Sequence, residues 1–286
     1  MITPSSLSSG SKIALVAPAR KVAEDDIAFA VEYIRQRGFA PIYDERLFLS
    51  YNQFAGNDEQ RASVLQHYLD ADDIDAIMCV RGGYGTVRII DRLDFDKFMQ
   101  KPKWIVGYSD VTVLHAKMQS LGIESLHATM PINFQDNSKQ ALDTLFDALC
   151  GKEIKYELPQ QTLDILSNMK GEVVGGNISV LYSLLGSDIF PDVKGKVLFL
   201  EDLDEYLYHI DRMMMAFQRA GIFDKIGGLI IGGLTKMHDN AISFGMTAEE
   251  IISEKIKDKN IPTVFNFPAG HVNDNRAIIL GRRICN

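Results

Sequence analysis

Short apolar runs that stop at glycine or proline, each followed by a segment with helical spacing, recur along the first half of this chain. Residues 12–17 (KIALVA) run into Pro18, and residues 39–43, 74–80 (IDAIMCV) and 103–106 (KWIV) repeat the pattern. An apolar run without polar alternation is a strand covered on both faces, as in a parallel sheet. Residues 24–37 set Ile27, Ala30, Val31 and Ile34 on one helical face. Glu24, Asp25 and Asp26 occupy its first turn, Arg35 and Arg37 its last, and Gly38 stops it. Residues 59–69, a stretch from Thr86 and another from Val111 to Leu121 also read as helices. Such alternation predicts an α/β fold, a parallel sheet with helices on both faces.

The pattern loosens after about residue 150, where 151–170 is polar and irregular. Strands at 171–175, 196–200, 228–231 and 276–280 then alternate with helices near 177–185, 205–219 and 246–257. The expected organisation is two α/β domains, 1–150 and 151–286, which a length of 286 residues accommodates.

Composition removes several classes of function. Apolar residues at 46% and charged residues at 24% are ordinary globular usage, which excludes a disordered, collagen-like or coiled-coil chain. A net charge of -8 with no Lys/Arg run argues against nucleic acid as a partner. No apolar run reaches the roughly 20 residues of a membrane span, so no membrane partner is expected. The stretch 13–19 behind Lys12 imitates a secretory leader, but the strand–helix repeat continues directly from it, so it reads as the first strand. Cys79, Cys150 and Cys285 lie far apart without CxxC spacing. That pattern supports neither a disulfide framework nor a structural zinc site, and fits a reducing compartment. No HExxH or comparable spacing supports a metallohydrolase.

Two turns carry candidate chemistry. Gly107-Tyr108-Ser109-Asp110 joins an apolar strand to a helix. A serine at such an elbow projects its hydroxyl away from the sheet, with helix N-terminal amides behind it to stabilise negative charge. Val111 stands where the G-x-S-x-G form has glycine, and the plain structural alternative is that Ser109 or Asp110 caps the helix. Arg81-Gly82-Gly83-Tyr84-Gly85 also follows a strand. It is neither a Walker A loop nor GxGxxG, but its amides can cradle an anion or serve as an oxyanion donor to Ser109. Both turns fall at strand C-termini, where parallel sheets bind ligands.

A serine nucleophile needs a base, and the base an orienting acid. Of the six histidines, His271 lies in a long polar loop entered through Pro268 and Gly270, and His127 at the end of a strand is the next candidate, as base or pocket wall. His115, on the elbow helix, reads as structural. Glu201 ends the apolar run 196–200, with Asp202, Asp204 and Glu205 crowded beside it as the first-turn charges of a helix.

Taken together, R-G-G-Y-G (81–85), G-Y-S-D (107–110), L-F-L-E-D (198–202) and A-G-H-x-x-x-N (269–275) resemble, in order and spacing, the serine-type LD-carboxypeptidase family. That family includes murein tetrapeptide carboxypeptidases and microcin C resistance hydrolases. The resemblance runs from about residue 12 to 283. It implies Ser109 as nucleophile, His271 as base and Glu201 as its orienting acid, with the Gly83 and Asp110 amides as oxyanion hole. It further implies an N-terminal flavodoxin-like domain, a C-terminal swivelling-type α/β domain, a site between them, no metal or other cofactor, and a cytoplasmic homodimer. The implied reaction releases terminal D-alanine from the diamino acid of murein tetrapeptides in cell-wall recycling. An exopeptidase also needs a cation for the substrate carboxylate, for which Arg81 and Arg88 are candidates, with Tyr84 and His127 as further pocket residues. The chain departs from the family at His127-Ala128-Thr129-Met130, where H-G-P-M is common, and at Ile278-Ile279-Leu280-Gly281, where a proline often precedes the glycine. The alternatives are hydrolysis of another acyl linkage, such as that of a peptidyl-nucleotide antibiotic, and a non-catalytic two-domain ligand-binding protein.

Overall fold

The computed structural model describes residues 1–284, so Cys285 lies outside the described residues. The first part of the chain runs β1 (Lys12–Val16), α1 (Glu24–Gln36), β2 (Ala40–Ile42), α2 (Asp58–Asp70), β3 (Ala76–Cys79), α3 (Asp96–Gln100), β4 (Trp104–Gly107), α4 (Thr112–Ser120), β5 (Ser125–His127) and α5 (Lys139–Leu149). All five strands pair in parallel, in the order β5-β4-β3-β1-β2. This is the 2-1-3-4-5 order of flavodoxin-like sheets, with its topological switch between β1 and β3.

Period-two alternation explains why these strands read as continuous apolar runs. Ile13 and Leu15 of β1 join a core with Ile27 and Ile34 of α1 and Leu145 and Phe146 of α5. Ala14 and Val16, on the other face, join a second core with Leu65 of α2, Phe98 of α3 and Leu114 and Met118 of α4. Both faces are dry, so neither has reason to carry polar residues.

The second part runs α6 (Gln160–Asn168), β6 (Val173–Asn177), α7 (Ile178–Leu184), β7 (Val197–Leu203), α8 (Leu207–Arg219), β8 (Gly228–Thr235), α9 (Ala248–Ile256) and β9 (Thr263–Val264). Its four strands are parallel, in the order β6-β7-β8-β9. Leu198 and Leu200 of β7 face α7, α8 and α9, while Val197 and Phe199 face Leu166 of α6. The α/β class expected from the strand–helix alternation is thus present in both parts.

Three local expectations change. The strand expected at 276–280 in the second domain is β10 (Ile278–Leu280), and it pairs antiparallel with β5 at the edge of the first sheet. Ile279 faces the first sheet's core, whereas Ile278 and Leu280 pack with Val173 and Phe199 of the second. The chain therefore returns to its first half and joins the two sheets through one short strand. The helix expected from Thr86 is two 3-10 turns, Thr86–Arg88 and Ile90–Arg92. Tertiary partners take over the groups a helix start would use: the Asp110 carboxylate accepts from the Thr86 N–H at 2.8 Å and Arg61 Nη1 donates to Gly85 O at 2.9 Å. Finally, β7 does not end at Leu200 but continues to Leu203, with a register shift between Leu200 and Asp202. Among the described residues no helix is long and apolar enough to cross a membrane.

Candidate active site

Three strand ends meet where the two sheets adjoin. After β4, the chain turns sharply into α4 through Ser109, whose φ of 64° lies in the left-handed region. For a residue with a side chain this conformation costs on the order of 1–3 kcal/mol and persists only where the surroundings enforce it. Gly107 enforces it from one side, with a φ of 155° and no room for a side chain against Val111. His115, fully buried, braces the strand end through Nε2 to Gly107 O at 2.8 Å and Nδ1 to Ser125 Oγ at 2.9 Å. Its expected structural role is what the geometry displays. Gly82 stands against the turn from the other side; a Cβ there would lie 3.2 Å from Ser109 Oγ.

Asp110 ties the elbow to the glycine loop through its bond to Thr86 N–H, and burial pushes its carboxyl pKa up against these hydrogen bonds. Buried Arg61 braces the same loop, donating to Pro18 O, to Gly85 O and, from Nε at 3.3 Å, to Gly56 O. Gly83 has a φ of 108°, and its amide has no acceptor among the described residues. The amide thus remains available to an incoming oxyanion.

From the second sheet, the irregularity in β7 falls at Glu201, between Leu200 and Asp202, and bulges commonly re-aim side chains. Glu201 is fully buried and its Oε2 accepts from His271 Nδ1 at 2.6 Å and from the His271 backbone N–H at 3.2 Å. Burial presses the Glu201 carboxyl toward the neutral form, but the charge and hydrogen bond of His271 outweigh it and hold its pKa below the ordinary value. Burial likewise presses His271 down, and the Glu201 charge and hydrogen bond outweigh that and raise its pKa. Each partner therefore stabilises the other's charged form.

Asp202, one residue on, is committed elsewhere. It accepts from Asn177 Nδ2 and from Ser179 N–H, both at 2.9 Å, and holds the start of α7. Burial, then the Glu201 charge, pushes its pKa up to about 7. Asp204 bonds His238 Nε2 and Glu205 bonds His209 Nδ1, each at 2.6 Å.

The two halves of the site are fastened together. The Asn177 N–H, at the end of β6, donates to Thr112 Oγ1 on the first turn of α4 at 3.0 Å. A side chain at Gly176 would collide with Thr112. The Tyr108 ring, next to Ser109, lies edge-on to the His271 ring at 4.8 Å.

The expected pocket residues scatter. His127 is fully buried rather than lining an open pocket, edge-on to Phe199 at 4.8 Å, and burial lowers its pKa to about 4. Arg88 pairs with Asp58 through Nε at 3.0 Å and Nη2 at 2.7 Å. Arg81 donates to Lys21 O at 3.2 Å and lines a small cavity with Phe48 and Ser50. Tyr84 is exposed beside Phe54. Sequence reasoning missed Arg61, which braces the glycine loop, and Thr112 and Asn177, which join the two halves. Among the described residues no cluster of three or more His, Cys, Asp or Glu side chains is arranged to hold a metal.

A strained serine behind a strand, free amides and a buried carboxylate–imidazole pair form an arrangement suited to acyl transfer. Known proteins bear on it directly. Residues 13–128 match the LD-carboxypeptidase N-terminal domain, and residues 170–285 the LD-carboxypeptidase C-terminal domain. The Bacillus subtilis protein named "Probable murein peptide carboxypeptidase" is 29% identical over 98% of this chain and 90% of its own. The crystal structure of muramoyltetrapeptide carboxypeptidase from Oxalobacter formigenes superposes with a TM-score of 0.81 at 26% identity, covering 95% of this chain and 93% of that one. The Escherichia coli microcin C7 self-immunity protein MccF is 24% identical over 94% of this chain and 87% of its own. A structure of MccF with glutamyl sulfamoyl guanosine shares the fold at a TM-score of 0.86 and 21% identity, over 97% of this chain and 93% of that one. The chain belongs to the LD-carboxypeptidase family and is a serine-type carboxypeptidase.

Proposed function

We propose that this enzyme cleaves the LD-peptide bond between a terminal D-alanine and the diamino acid of murein tetrapeptides, acting in cell-wall recycling in the cytoplasm as a homodimer. The observation that carries the reading is the buried Glu201–His271 pair, 2.6 Å long, beside the strained turn at Ser109. Ser109 Oγ attacks the carbonyl of the diamino acid while His271 Nε2 takes its proton. Glu201, bound to Nδ1, fixes the tautomer and stabilises the imidazolium. The Gly83 and Asp110 amides receive the oxyanion, at about 3–4 kcal/mol per donor. Collapse breaks the C–N bond, and His271 returns the proton to the departing D-alanine amine. Water, deprotonated by His271, then cleaves the acyl-enzyme to release the tripeptide and restore Ser109.

Relatives named for murein peptides support this substrate class. A peptidyl-nucleotide substrate, the second reading, calls for an aromatic platform for the base. The single tryptophan, Trp104, is buried in β4 with its indole N–H on Ser5 O at 3.1 Å, which favours the murein reading. Mass spectrometry of products from defined peptides tests it. The expected result is free D-alanine and a tripeptide from an LD-linked tetrapeptide, with a DD-linked pentapeptide and a peptidyl-nucleotide left intact. Cleavage of the peptidyl-nucleotide alone would overturn it.

A further inference from the structure

The strand order of the first sheet reverses between β1 and β3, which opens a crevice between the loops that follow those strands. Arg81–Gly85 lies on one side of it and Arg20 on the other. The Arg20 backbone N–H donates to Gly82 O at 3.4 Å, and its stem lies on Gly83, where Cγ and Cδ fill the space a side chain would need. Gly82 in turn abuts Ser109. Contacts thus run from Arg20 through Gly83 and Gly82 to the nucleophile.

The neighbouring cations are occupied. Arg61 is buried on backbone carbonyls, Arg88 is held by Asp58, Arg81 reaches Lys21 O, and Lys21 Nζ donates to Ser50 Oγ at 3.3 Å. Arg20 is exposed and forms no ion pair or side-chain hydrogen bond among the described residues. The Glu201 and Asp110 carboxylates are taken by His271 and the Thr86 N–H.

We infer that Arg20 is the subsite for the free carboxylate of the substrate's terminal residue, a specificity determinant; this rests on the LD-carboxypeptidase reading above. In a substrate cut one residue from its end, that carboxylate is two bonds from the scissile nitrogen. The cation that receives it must therefore sit close to the nucleophile and the oxyanion amide. Arg20, packed on Gly83, meets that requirement. A guanidinium binds a carboxylate through two parallel hydrogen bonds, a geometry the ammonium of lysine does not reproduce.

The test is steady-state kinetics of wild type, Arg20→Ala and Arg20→Lys on an LD-linked tetrapeptide ending in a free carboxylate and on the same peptide ending in an amide. The wild type prefers the acid. In Arg20→Ala, KM for the acid rises on the order of 10- to 100-fold with little change in kcat, and the acid-over-amide preference collapses. Arg20→Lys recovers part of it. An Arg20→Ala enzyme with unchanged KM and preference overturns the inference alone. So does an equal loss of kcat on both peptides, which assigns Arg20 to support of the glycine loop. A wild type inactive on the free acid overturns the LD-carboxypeptidase reading, and the inference falls with it.

Discussion

Two neighbouring carboxylates on one strand meet different fates. Glu201 is bound to His271, whereas Asp202 holds the start of α7 through Asn177 and Ser179. The pairing has a consequence for pH. His271 accepts a proton only when neutral, and the Glu201 charge raises its pKa above the ordinary histidine value. Activity therefore falls as pH drops through that raised pKa, and the acid limb of kcat/KM lies above about 6.5. In Glu201→Gln the charge is gone while burial still lowers the imidazole pKa. The limb moves to lower pH and kcat falls by about 10^3- to 10^4-fold. A pH–rate profile of both enzymes checks this, and an unmoved limb would assign the base elsewhere. The residue types were legible in the sequence, because a serine at a strand–helix turn and a histidine in a Gly-bounded loop announce themselves. Which acid partners the histidine was signalled by the place of Glu201 at the end of a buried strand and reinforced by the family motif. Alternation on a strand sends Glu201 and Asp202 apart, and the irregularity at Glu201 leaves no mark in the composition.

At the level of elements, glycines set how closely the loops approach the reacting groups. Gly270, with a φ of 97°, precedes His271, and a Cβ there would lie 2.6 Å from Glu201 Oε2 and 2.7 Å from its Cγ. Gly270→Ala displaces the histidine loop from the acid. A shift of this kind costs about 100-fold in kcat when a catalytic group moves by an ångström. Kinetics together with a thermal unfolding curve check it, and full activity in a folded variant would count against the pairing geometry. The strands of the first sheet were readable because burial on both faces leaves an unbroken apolar signal, and helix α1 because its buried residues recur on one face. The 3-10 turns after Gly85 were not, because Asp110 and Arg61, distant in sequence, decide what that backbone does.

For the whole molecule, the returning strand β10 matters most. Ile278 is buried against Val173 and Phe199 of the second sheet while its backbone pairs with His127 of the first. Three apolar residues carry no sign of which sheet they join, so the sequence placed them with their chain neighbours. The shared strand and the Asn177–Thr112 bond predict that both sheets unfold together, with calorimetric and van't Hoff enthalpies in agreement. Ile278→Ala lowers stability by about 2–5 kcal/mol without splitting the transition. Two resolved transitions in the wild type would contradict this. The same junction sets the Tyr108–Ser109 turn of one half beside His271, which is bound to Glu201, of the other. The most direct test of that assembly is kcat of Ser109→Ala on an LD-linked tetrapeptide, with native folding verified. A loss of about 10^4-fold or more is expected. Turnover within tenfold of wild type would contradict it.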